Sequence, residues 1–249
     1  MSKPVLLIRA HGNEEDAQAL ADIGVRSLID PYLQISAADD AEQAKTLLSL
    51  LTSSPDPLWL IATSANAINY WAQVIGEELL RKSITVRKNL QFAAIGERTS
   101  DTLRQYGARE ILVPTEATGL ALANLLISEH PSGHALIPGG NLAMKDLPTS
   151  LSASGWHTTS AVVYTTKTVV HVPASAQLLR DQEIAAVLLR SPSAVRALTH
   201  FVPSPKIPLV CAGETTARAV EAQGLAVAAV SSGPTPRGVA DTLRELLER

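Results

Sequence analysis

The chain has 249 residues, 46% of them hydrophobic and 18% charged, enough apolar matter for one large core or two smaller ones. Its formal net charge of −3 gives no electrostatic case for nucleic acid or a membrane surface as partner. The single cysteine, Cys211, excludes a disulfide framework and a thiolate metal cluster. The opening run "VLLI" is too short for a signal-peptide core and turns acidic at once, and no stretch reaches the roughly eighteen apolar residues of a membrane span, so the expected location is the cytoplasm.

Short runs rich in Val, Ile and Leu alternate with longer stretches of helical periodicity. "VLLI" (5–8) precedes a helical pattern carried by Ala17, Leu20 and Ile23 and stopped by Gly24. "VRSLI" (25–29), a helix over 39–51 and "LWLIA" (58–62) follow, and "SANAINYWAQVIGEELL" (64–80) reads as one helix starting near Ser64 or Asn66. "FAAI" (92–95) leads into "GERTSDTLRQYG", and "EILV" (110–113) into "TGLALANLLISE". The second half repeats the alternation with "ALI" (135–137), "TTSAVVYTT" (158–166), "AAVLL" (185–189), "PLVCA" (208–212) and "VAAV" (227–230), each but the second followed by a helical stretch. Apolar strands without period-two alternation, joined by helices, predict an α/β fold whose parallel sheets are covered on both faces.

The alternation is also a duplication. Gly96 and Gly213 lie 117 residues apart, as do Gly107 and Gly224; Gly119 and Gly238 are 119 apart, Ser64 and Ser191 127, and Gly24 and Gly155 131. Each copy holds five strands. The extended segments 31–40 and 161–175 both follow the second strand of a copy. Two arrangements remain open: two consecutive domains, or a crossover in which the first two strands join the last three while the middle five form the other domain.

The familiar chemical motifs are missing. No Gly-x-Gly-x-x-Gly is present, and "GPTPRGVA" (233–240) has the outer glycines of a phosphate loop but Val239 where the lysine must stand. The six histidines are scattered; His130 and His134 have helical spacing, but Pro131 and Gly133 intervene, so no metal site is expected. No Gly-x-Ser-x-Gly elbow or Ser/His/Asp set appears. Cys211 falls inside an apolar strand, where it reads as an inert core residue. What recurs is strand end, small residue, hydroxyl, helix start, at Thr63, Ser64, Asn66, Thr99, Ser191, Ser193, Thr215 and Thr216. Each is a residue type that caps helices and needs no other role. As a set, such turns lie at the carboxyl edge of a parallel sheet and offer N–H and hydroxyl donors to anions, pointing to a cleft that binds a large polyanion.

The segments "LLIRA", "TSANAI", "AIGERTSDTLRQYG", "VVYTT", "LLRSPSAV", "CAGETTARAVEAQG" and "PTPRGVADTL", in this order over essentially the whole length, resemble the uroporphyrinogen-III synthase family. The resemblance implies two flavodoxin-like domains joined by a two-stranded connector, which selects the crossover. The expected boundaries are 1–34 with 172–249 for one domain, 40–160 for the other and 35–39 with 161–171 for the connector. It implies a monomer without metal or cofactor, and at most a transient contact with the preceding pathway enzyme. The reaction it implies closes linear hydroxymethylbilane to a macrocycle with ring D inverted and water lost. That chemistry needs orientation above all, so that ring D reacts through its substituted carbon to a spiro intermediate, plus one proton donor for the leaving hydroxyl.

On the matching positions, Tyr164 becomes the candidate donor or substrate positioner, with a hinge tyrosine bridging apolar and wet surface as the competing reading. Arg9 matches the family's arginine, as a carboxylate contact or a structural ion pair. Thr99 and Thr216, on the turns of Gly96 and Gly213, and Thr63, Ser64, Asn66, Ser191 and Ser193 complete the substrate-binding set. One departure stands out: Gly139 occupies the place of a family arginine in "IPGGNLAMKD", and Lys145 is the candidate to take over its charge. The competing function is a non-catalytic, two-lobed binding protein for a small polyanion.

Overall fold

The computed structural model describes residues 3–248 apart from 56, 131 and 234. In chain order it begins with β1 (Val5–Leu7), α1 (Asn13–Ala21), β2 (Ser27–Ile29), β3 (Leu33–Ala37), α2 (Glu42–Ser53) and β4 (Leu58–Ala62). Then come α3 (Ala65–Ile75), α4 (Glu77–Val86), β5 (Leu90–Ala94), α5 (Glu97–Gln105), β6 (Ile111–Leu112) and α6 (Gly119–Glu129). Next are β7 (His134–Gly140), α7 (Asp146–Ala153), β8 (His157–Thr168), α8 (Ser175–Arg180), β9 (Ala186–Leu189) and α9 (Pro192–Phe201). The chain closes with β10 (Leu209–Cys211), α10 (Glu214–Glu221), β11 (Ala229–Val230) and α11 (Pro236–Leu247).

Two compact units result, one of Met1–Gln34 with Lys167–Arg249 and one of Ile35–Thr166. In the first, the strands run β2-β1-β9-β10-β11, all parallel. In the second, the order is β3-β8-β7-β4-β5-β6, parallel from β8 onward. Each sheet therefore has the 2-1-3-4-5 order of flavodoxin-like folds, with β7 and β8 standing first and second in the later unit. The strands of each sequence copy are divided between the two sheets: β1 and β2 of the first copy lie with β9, β10 and β11 of the second. β3 and β8 form the two-stranded connector. Ala38 N–H donates to Val163 O, the Ser36 and Thr165 hydroxyls meet at 3.2 Å, and Val169 N–H reaches Tyr32 O, so the two segments run antiparallel.

The uninterrupted apolar runs follow from sandwiching. Leu6, Ile8, Val187 and Leu189 face one way and pack with Leu179 of α8, Val195 and Leu198 of α9 and Val220 of α10. Val5, Leu7, Ala186, Leu188 and Val210 face the other way, against Leu20 of α1 and Val239 and Leu243 of α11. In the second unit Leu58, Leu60 and Ala62 meet α2, α3, α4 and α5, while Trp59 and Ile61 meet α6 and α7. With both faces covered, polar alternation would bury unpaired groups, and each fully buried Leu or Val contributes about 1.5–3 kcal/mol instead. Trp71, fully buried in α3, satisfies its indole N–H on Ala44 O at 2.9 Å and so ties α3 to α2.

Three local expectations change. The single helix over 64–80 is two, α3 and α4, broken at Gly76, whose φ of 100° is open to glycine but strained for other residues. The spacing of Gly119 and Gly238 is not the structural one. The residues that cap α6 and α11 are Thr118 and Thr235, whose hydroxyls accept from Ala121 N–H at 3.1 Å and Gly238 N–H at 3.2 Å. These caps are 117 apart, the same interval as Gly96 and Gly213, so Gly119 corresponds to Pro236. α8 has no sequence signal of its own, being one and a half turns long.

Candidate functional site

In open α/β sheets, ligands bind at the carboxyl edge where strand order reverses, because neighbouring crossovers there leave to opposite faces. That point lies between β1 and β9 in the first unit and between β7 and β4 in the second. Register makes the two points comparable. Val5 pairs with Ala186, and Ala135 pairs with Trp59, so Val5 corresponds to Ala135 and Ala186 to Trp59. Carried to the strand ends, Arg9 corresponds to Gly139, Arg190 to Thr63 and Ser191 to Ser64.

In the second unit, β4 delivers Thr63 and Ser64 to this edge. Ser64 is extended (φ −161°) and its hydroxyl accepts from Ala67 N–H at 3.1 Å, so it caps α3. A cavity of 190 Å³ opens here, lined by Thr63, the backbone of Gly139 and Gly140, Met144 and Lys145 among others. Lys145, at the N-cap of α7, is exposed and brings a positive charge to this cavity, which the glycine at 139 leaves open. Tyr164 enters from β8. A shift in register between Gly139 and Gly140 sets Tyr164 opposite Gly140, and a Cβ on Gly140 would stand 2.5 Å from the tyrosine Cζ. Gly140 is thus required by the close approach of the ring. The Tyr164 hydroxyl lies 3.4 Å from Ser64 Oγ, and its ring stacks on Tyr70 at 5.7 Å and 27°. Tyr70 in turn donates its hydroxyl to Ile35 O at 3.0 Å, fixing the stack to β3. Asn66, half-buried in the first turn of α3, completes the group.

In the first unit, Ser191 caps α9, accepting from Ala194 N–H at 3.3 Å, with Pro192 at the first helical position and the Ser193 hydroxyl 2.9 Å from Ser191 Oγ. Arg9, following β1, donates to Gly12 O at 3.2 Å and faces the Asp16 carboxylate at 3.7 Å. Asp16 is 1% exposed in its side chain and also receives Arg190, through Nε at 2.7 Å and Nη2 at 2.5 Å. Sequence reasoning singles out Arg9 and misses Asp16, since an acidic residue in "NEEDAQALA" reads as one of a solvated face.

The paired Gly-Glu turns lie next along each sheet. Ile95 N–H donates to Ala62 O at 3.0 Å and Ala212 N–H to Leu189 O at 2.9 Å, so Gly96 adjoins Thr63 and Gly213 adjoins Arg190. Both glycines are extended, a conformation open to any residue, and neither helix start has a side-chain cap. Thr99 and Thr216 are not caps. They are the third residues of α5 and α10, in the first turn of each helix, 6% and 4% exposed. Among the described residues no His/Cys/Asp/Glu group could hold a metal ion, and no helix is long and apolar enough to cross a membrane. Burial pushes the Cys211 thiol up to about 11, with Glu221 and Glu214 adding to it, which suits an unreactive core residue.

The family model described as uroporphyrinogen-III synthase HemD matches residues 14–241. The chain belongs to the uroporphyrinogen-III synthase family. It is a cyclising lyase of haem biosynthesis, which sets aside a non-catalytic binding protein. No curated protein matches the chain in sequence. Two solved structures carry the fold. The uroporphyrinogen-III synthetase of Helicobacter pylori 26695 is 16% identical, with 99% of this chain and 100% of that one covered and a TM-score of 0.66. A mutant uroporphyrinogen III synthase of the extremely thermophilic bacterium Thermus thermophilus is 15% identical, with 98% and 99% covered and a TM-score of 0.63. At such identities the likeness speaks for the fold, and the roles of individual side chains in this enzyme rest on its own geometry.

Proposed function

We propose that Tyr164 is the proton donor that lets the hydroxyl of hydroxymethylbilane leave as water, and that the strand-end turns of each unit bind carboxylates of the linear tetrapyrrole. The observation that carries this reading is the Tyr164 phenol, held between Gly140, Ser64 and Tyr70 at the edge where β7 and β4 part. Departure of the hydroxyl leaves a cationic carbon conjugated to its pyrrole, which ring D attacks through its substituted carbon. The spiro intermediate fragments and recloses, and the proton released when the last ring regains aromaticity balances the one donated.

Substrate carboxylates find N–H and hydroxyl donors at Thr63, Ser64, Asn66, Ser191 and Ser193, and positive charge at Arg9 and Lys145. The turns of Gly96 and Gly213 present backbone N–H groups, with Thr99 and Thr216 behind them. A glycine at the family arginine's place suits the 190 Å³ cavity, and Lys145 is positioned on its wall. The chain acts as a cytoplasmic monomer, with no nucleic-acid or membrane partner.

Freshly generated hydroxymethylbilane, with the oxidised porphyrins separated by isomer, tests the reading. Type III is expected; type I alone, at the spontaneous rate, would overturn it. Tyr164→Phe should lower kcat by about 10²-fold or more while leaving the fold intact. Unchanged turnover would remove the donor role.

A further inference from the structure

Asp16 is the least exposed carboxylate of the first unit's strand-end edge, and two arginines converge on it. They come from the ends of β1 and β9, the neighbouring strands between which that sheet reverses its order. The loop carrying Arg9 is itself held. Asn13, 2% exposed, donates to Arg9 O at 2.8 Å and accepts from Arg9 N–H at 3.2 Å. Arg190 is met through Nε and Nη2 together, which fixes the plane of its guanidinium.

The fold does not demand this cluster. In the second unit the same two positions are Gly139 and Thr63, and the sheet closes there just as completely. Two arginines meet one buried carboxylate, at the point where the first sheet reverses its order.

We propose that Asp16 is a positioning residue that orients Arg190 and Arg9 as a two-guanidinium site for one carboxylate side chain of the substrate. The inference rests on the reading of the strand-end turns as carboxylate sites. It adds Arg190 as the direct contact and Asp16 as the group acting through it.

Two variants test it by steady-state kinetics with hydroxymethylbilane, alongside thermal melting. Asp16→Asn removes a negative charge beside two cations. A purely electrostatic role would therefore lower KM, whereas loss of orientation raises it. The expectation is a KM about tenfold higher, with kcat changed by less than about twofold. Arg190→Lys keeps the charge and loses the fork, and should raise KM to a similar degree. A folded Asp16→Asn with unchanged or lowered KM would overturn the assignment. Should Asp16→Asn fail to fold, Arg190→Lys decides, and an unchanged KM there overturns it as well. Wild-type protein that yields type III isomer while Arg190→Lys keeps its KM sinks this inference alone; wild-type protein that yields only type I sinks the underlying reading too.

Discussion

Replacing Gly140 with alanine places a methyl group 2.5 Å from Tyr164 Cζ, 2.6 Å from Cε2 and 2.9 Å from the phenol oxygen. Carbon atoms in ordinary contact stand about 3.5–4.0 Å apart, so the ring must retreat by roughly 1 Å. The ring is also stacked on Tyr70 at 5.7 Å, so it cannot shift without disturbing that contact. Gly140 is not among the residues with positive φ, so alanine brings no backbone strain and the perturbation is the clash alone. A misplacement of about 1 Å at a reacting group costs about 10²-fold in rate, equivalent to about 2.7 kcal/mol of transition-state stabilisation. The overpacking itself should cost about 1–3 kcal/mol of stability. The assay is kcat with fresh hydroxymethylbilane, read with the isomer ratio and the melting temperature. Gly139→Ala is the control: its Cβ would meet only Ala143 Cβ at 3.3 Å, a contact relieved by a few tenths of an ångström. In a Tyr164→Ala background, Gly140→Ala should have almost no further effect on kcat. A Gly140→Ala enzyme that turns over within about threefold of wild type would refute the placement of the phenol at the reacting centre.

Further outcomes can be stated briefly. Ser64→Ala removes the cap of α3 and should cost about 1 kcal/mol of stability by denaturant titration; Thr118→Ala should cost as much, but only Ser64→Ala should also slow turnover. Burial first, then His157 and Arg87, hold the His134 imidazole below its ordinary 6.5. The unfolded chain therefore takes up the proton first, so stability should fall as pH drops below about 6.5, and His134→Gln should flatten that slope in melting curves between pH 7.5 and 5.5. An equal slope in the variant would remove His134 as the cause. The Cys211 thiol, buried and pushed up to about 11, should resist alkylation in the folded protein and react only when denaturant opens the sheet. Rapid modification of native protein would contradict the burial of β10.

Strands are legible in this sequence because a parallel sheet covered on both faces writes them as unbroken apolar runs; "LWLIA" and "AVLL" need no other context. Caps at Ser64 and Ser191 are legible because the extended residue before a helix needs a short hydroxyl side chain. What stays hidden depends on partners distant in the chain. The exchange of strands between the copies leaves no local trace, since β1 reads the same whether it pairs with a neighbour or with β9. Asp16 looks solvated because its two arginines lie at positions 9 and 190. Gly76 lies inside a helical period, and its φ cannot be read from composition. Near Gly119 the duplication misaligns when glycine is matched to glycine, because the structure matches threonine caps.

The exchange of strands also sets an order of assembly on the ribosome. The unit of Ile35–Thr166 is contiguous and holds every strand it needs once its own stretch has emerged. β1 and β2 emerge first, but their partner β9 begins at Ala186, about 150 residues after β2 ends. At synthesis rates of about 5–20 residues per second, the two strands wait about 8–30 s with apolar faces unpaired. The segment of β1 and β2 therefore waits longest for its partner. It is the segment most exposed to chaperones, and to competition from other unpaired strands, while the second unit is already complete.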